Sequence, residues 1–190
     1  GGSGMNTAAV CDGLLALVAV VLAWQWGGRY PAVRLAGLIL AAAATLGSLR
    51  FSGVLPMPAL HQFVSALGAA VALPLLACVV IWPQGLLARQ PRYAWIGAVA
   101  ASAICVVLVV VLEFRVWTVA CSLASALLIL GVAVARRQFL AAGAGLSLLL
   151  AFAAFSGGLQ ALGLQAGDFL HLGMASALLL YQGWLKQSWV

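Results

Sequence analysis

Long apolar runs, broken at near-regular intervals by short polar or Gly/Pro-containing stretches, dominate the chain. LLALVAVVLAWQW, LAGLILAAAATL and AICVVLVVVL have the length and continuity of bilayer spans. Strands of a membrane barrel would alternate polar and apolar residues; these runs do not, so they read as helices. The breaks define seven spans at about 7–26, 31–50, 59–82, 92–112, 116–135, 139–155 and 168–184. GGRYP closes the first, and Pro31 suits the first turn of the second. FSGVLPMP, with Pro56 and Pro58, separates the second from the third, and Pro74 predicts a kink within the third. Spans four and five are divided only by Glu113, Phe114 and Arg115. Without a turn there the apolar stretch would run about 40 residues, roughly twice what a bilayer takes. The expected fold class is all-α: a polytopic seven-transmembrane-helix bundle forming a single transmembrane domain over 5–190.

Composition sharpens this picture. With 66% hydrophobic and 6% charged residues, the chain lacks the polar surface a water-soluble domain needs. The leading GGSG before Met5 reads as an expression remnant at 1–4, and no cleavable signal peptide is expected, because the segment after Met5 carries Asp12 and lacks a basic flank. Cys11, Cys78, Cys105 and Cys121 lie in or beside apolar segments without C-x-x-C spacing and read as small hydrophobes. The formal charge of +6 comes from basic residues scattered singly between spans, which gives no patch for nucleic acid.

Those basic residues instead orient the bundle. Placing the N-terminus outside puts Arg29, Arg34, Arg89, Arg92, Arg136, Arg137 and Lys186 on the cytoplasmic side and leaves only Arg50 and Arg115 outside. The expected location is the inner membrane of a bacterium, with membrane lipids as partners and the oligomeric state unassigned. All seven tryptophans, Trp24, Trp26, Trp82, Trp95, Trp117, Trp184 and Trp189, fall near span ends, and most read as an interfacial belt. The pairs Gly37/Ala41, Ala43/Gly47 and Gly131/Ala135 read either as close helix contacts or as chance in a chain rich in Ala and Gly.

This orientation gathers the scarce polar residues at one end. Asp12, Arg50, His61, Glu113, Arg115, Asp168 and His171 all fall at outer helix ends, a set that includes every acid and both histidines of the chain. A carboxylate in hydrocarbon is costly unless it is paired, faces the bundle interior or binds a cation. Asp168 and His171 share a face at i,i+3, and His61 and Ser65 share one at i,i+4. Local alternatives exist for each: Asp168 as the N-cap of the last span, Arg50 snorkelling to headgroups or pairing with Asp12, and Glu113 and Arg115 as a solvated turn. If the groups converge, His61, His171 and Asp168 form a plausible zinc set, with Asp12 as a further ligand or a general base. Such a centre would hydrolyse a lipid-like amide or ester from the outer leaflet. Alternatives are haem held between His61 and His171, another apolar ligand, or a small transporter or assembly subunit with an outward-facing polar pocket.

An Asp and a His early in the last span (DFLHLGMA), a His at the start of span three, and Ser48 or Ser52 near the end of span two give the chain a resemblance to the heptahelical membrane hydrolases, the superfamily of alkaline ceramidases and progestin/adiponectin receptors. The resemblance implies a zinc-dependent hydrolase, with Ser48 or Ser52 polarising the substrate. That family's third histidine has no counterpart here, since the chain has only His61 and His171.

Overall fold

A computed structural model describes residues 6–55 and 57–188. The expected remnant at 1–4, Met5, Pro56 and Trp189 lie outside the described residues. Among the described residues eight helices follow one another: α1 (Thr7–Trp26), α2 (Pro31–Phe51), α3 (Pro58–Ile81), α4 (Leu86–Arg89), α5 (Pro91–Val111), α6 (Val116–Ala135), α7 (Phe139–Ser156) and α8 (Ala166–Gln187). All but the four-residue α4 coincide with the spans expected from the sequence. Helices α1, α2, α3, α5, α6 and α7 are long and apolar enough to cross a membrane, and the chain is an integral membrane protein. Helix α8 has the length, at 22 residues, but Asp168, His171, Gln182 and Lys186 lower its apolarity.

Local chemistry sets the helix starts. Asn6 caps α1 by accepting from Ala8 N–H, and proline opens α2, α3 and α5, where a missing donor costs nothing. The disturbance expected at Pro74 takes the form of a π-turn over Gly68–Ala72, just ahead of the proline. Pro74 has no N–H for the carbonyl of Ala70, and the wider i→i−5 pattern, such as Leu73 N–H to Gly68 C=O, absorbs the mismatch. A second π-turn, Val106–Val111, ends α5. Glu113 then takes a φ of 53°, which lets the chain reverse without Gly or Pro.

Six helices close a ring. Helix α1 packs on α2, α2 on α3, the second half of α3 on α6, α6 on α7, α7 on α8, and α8 returns to α1. Helix α5 lies outside against α2 and α3, which leaves most of it uncovered. The first half of α3 packs chiefly on α2 and α5 and stands off from α6, α7 and α8. The ring is therefore tight at one end and open at the other.

The seam between α1 and α8 carries polar rungs along its length. Thr7 Oγ1 donates to Asp168 Oδ2 (3.2 Å), Asp12 meets His171, and at the far end Gln182 Nε2 donates to Gln25 Oε1. Small residues set other contacts. Gly37 lies against the backbone of Ala19 and Ala23 on α1, and Gly47 lies against the Asp12 carboxylate, whereas Gly131 faces open space and serves no close contact. The aromatic belt needs correction in part. Trp24, Trp82 and Trp95 are exposed as expected, but Trp26 and Trp184 are buried in the core, Trp184 packing edge-on against Tyr181.

Candidate functional site

Between the leaning first half of α3 and the remainder of the ring lies a cavity of about 620 Å³. Its size falls within the range of small-molecule sites. The wall is mostly apolar, including Leu15, Leu40, Phe51, Leu73, Leu149, Phe152, Leu170 and Met174. Polar groups are few: Asp12, His61, Ser65, Thr118, Ser122, Ser156 and His171. The π-turn takes part directly, since Gly68, Ala69 and Leu73 form the α3 wall where the helix widens. Below the cavity the bundle closes around a void of only about 10 Å³ lined by Leu76, Ile129, Ala144, Leu148, Leu178 and Tyr181. Tyr181 there donates its hydroxyl to the Leu76 carbonyl (2.9 Å), and this floor carries no charged group.

Asp12 belongs to the series 12, 15, 19, 22 and 26 that forms the inward face of α1. It is completely buried, and its carboxylate occupies the space left by the missing side chain of Gly47 on α2. Its polar partner is His171 on α8, with Nδ1 at 3.0 Å from Oδ1. The approach is off the line of an ideal hydrogen bond. A buried carboxylate without a partner is costly, which favours a bond between the two groups. Since the carboxylate can only accept, His171 Nδ1 is the donor and Nε2 carries the lone pair. Among the described residues Nε2 has no hydrogen-bond partner, and the ring lines the cavity.

Across the cavity, His61 is held by its own neighbours. Arg50 Nη1 donates to His61 Nδ1 (3.2 Å), the Phe51 ring stands edge-on to the imidazole at 6.0 Å, and the Arg50 guanidinium lies 5.2 Å from the Phe51 ring centre. Ser65, one turn further on α3, lines the same wall. Sequence reasoning missed Thr118 and Ser122; their i,i+4 spacing on α6 was the available signal.

The other expected residues lie elsewhere. Asp168 is the third residue of α8, not its N-cap: its Oδ2 accepts from the backbone N–H of Gln165 (2.8 Å), completing a capping box, and from Thr7. Ser48 donates to the Ala9 carbonyl and Ser52 to that of Leu49, and neither lines the cavity. Glu113 and Arg115 are exposed in the turn between α5 and α6. Arg50 binds His61, so the alternative of an Arg50–Asp12 pair is not what forms.

This arrangement fits zinc and haem poorly. Among the described residues no three His, Cys, Asp or Glu side chains gather closely enough to hold an ion. Asp168 is committed to the helix start, and His61 has its Nδ1 lone pair engaged by a guanidinium that can only donate. The ring proton of neutral His61 then sits on Nε2, which leaves no lone pair for zinc or for haem iron. No protein family, curated protein or solved structure matches this chain. The resemblance to heptahelical hydrolases therefore gains no relative to lean on.

Proposed function

We propose that the chain is a seven-span protein of a bacterial inner membrane, with its N-terminus outside, that hydrolyses a lipid-like amide or ester in its outward-facing cavity. The orientation is supported by the charge split of the sequence; Arg136, on the side that split assigns to the cytoplasm, donates to the Val80 and Ile81 carbonyls. The observation that carries the chemistry is the buried Asp12–His171 pair on the wall of a mostly apolar cavity. An imidazole whose far nitrogen is backed by a carboxylate is the arrangement a general base needs.

In this reading His171 Nε2 takes a proton from water as the water oxygen bonds to the acyl carbon. Asp12 stabilises the imidazolium that forms. The imidazolium then returns the proton to the leaving oxygen or nitrogen as the acyl bond breaks, giving a carboxylic acid and an alcohol or amine. The apolar wall receives the acyl chain, and Ser65 and Ser122, whose hydroxyls no described residue engages, meet the headgroup. The pair replaces the zinc-bound water expected from the sequence, and the resemblance to heptahelical hydrolases is retained only as a proposal at the level of layout and substrate class.

The test is release of fatty acid, followed by mass spectrometry, from a panel of acyl esters and acyl amides incubated with the purified protein in detergent. Hydrolysis by the wild type that falls at least about 100-fold in His171→Gln and Asp12→Asn is expected. Hydrolysis that survives both substitutions, or none across the panel, refutes the proposal. A Soret band from the purified protein, lost on His61→Ala, would instead establish haem.

A further inference from the structure

The two histidines of this chain line one cavity, and the Nδ1 of each is met by a group of opposite character. His171 Nδ1 meets a carboxylate, which can only accept, while His61 Nδ1 meets a guanidinium, which can only donate. The first contact puts the ring proton on Nδ1 and the second puts it on Nε2. The Nε2 atoms left free are therefore unlike: a lone pair on His171 and an N–H on His61. Arg50 is well suited to this task. No carboxylate lies within ion-pair distance of it among the described residues, and stacking near Phe51 holds the guanidinium in place.

We propose that Arg50 is a positioning residue that locks His61 in its Nε2–H form, so that His61 donates to the carbonyl oxygen of a substrate whose acyl carbon is attacked by water activated at His171. The catalytic role rests on the hydrolase reading; the opposed tautomers do not. As water adds, negative charge builds on the carbonyl oxygen, and a neutral donor on the wall of a mostly apolar cavity stabilises it. The same lock explains why His61 is unsuited to a metal, so one contact both removes a ligand and supplies a donor.

The experiment is ¹⁵N NMR of the full chain labelled at histidine, in lipid bilayers at mildly alkaline pH. Only two rings contribute, and His61→Gln and His171→Gln assign them. His61 is expected to show a pyrrole-type Nε2 and a pyridine-type Nδ1, with His171 the reverse. Arg50→Met, which has no donor, is expected to convert His61 to a mixture of tautomers and leave His171 unchanged. In the hydrolysis assay, Arg50→Met and His61→Phe are expected to lower kcat about 10²- to 10³-fold, the loss typical of a missing oxyanion donor, with little change in KM. Identical tautomers on both rings, or no response of His61 to Arg50→Met, overturns the lock. Opposed tautomers with kcat untouched by His61→Phe overturn its catalytic role. Opposed tautomers in a protein that hydrolyses nothing leave the lock standing and overturn the reaction.

Discussion

Gly47→Ala measures how firmly Asp12 is held. A β-carbon built on Gly47 would fall within the Asp12 carboxylate, reaching Cγ and both oxygens. Asp12 is short and fully buried, so it must swing off His171 or α1 must move away from α2. Overpacking of this kind costs about 1–3 kcal/mol. Alanine in place of glycine within a helix gains about 1 kcal/mol, so the single substitution should show a net loss of about 0–2 kcal/mol. That value alone is uninformative, and the decisive quantity comes from repeating the change in an Asp12→Ala background. With the carboxylate gone, the β-carbon of position 47 has room, and Gly47→Ala should be neutral or stabilising by up to about 1 kcal/mol. The coupling between the two sites is then about 1–3 kcal/mol, read from unfolding in mixed micelles of rising denaturing-detergent fraction. Equal effects of Gly47→Ala in the two backgrounds would show that Asp12 does not sit where the helix contact places it, and the Asp12–His171 pair would fall with it.

Asp168→Ala removes the acceptor for the Gln165 N–H and the Thr7 hydroxyl and should cost about 0.5–2 kcal/mol in the same unfolding measurement. Because Asp168 lies off the cavity wall, the ¹⁵N signals of both histidines should stay in place; a shift of the His171 ring would return Asp168 to the site. Tyr181→Phe deletes a fully buried hydroxyl bonded to the Leu76 carbonyl and should cost about 1 kcal/mol without changing hydrolysis, since the floor of the cavity is structural. A loss of activity exceeding the loss of folded protein would contradict that role.

Much of the architecture could be read from the chain because hydrocarbon imposes a length on each helix. Even the weakest boundary, at Glu113 to Arg115, followed from the limit on span length, and the left-handed Glu113 supplies the turn that no Gly or Pro announced. The site was legible only in outline. Asp12, His61 and His171 do line one cavity, since groups costly in lipid turn inward, but their partners come from helices far apart in sequence. Periodicity placed Asp168 beside His171 without saying that it would close a capping box, which depends on where α8 begins. The resemblance to heptahelical hydrolases brought in Ser48 and Ser52 without showing that both would bond to backbone carbonyls. Gly47 stood out only as one of several small-residue pairs, because what matters there is the side chain on another helix that fills its vacancy.

The sealed, uncharged floor around Leu76, Ile129 and Tyr181 makes the chamber a blind well. On the proposed reaction, a substrate that entered from one leaflet would find no second exit through this floor, so its fragments would leave by the way it came. Turnover then depends on each departing fragment clearing the mouth before the next guest arrives. A bulky acid that lingers there would act as a stopper, and accumulated product should inhibit competitively.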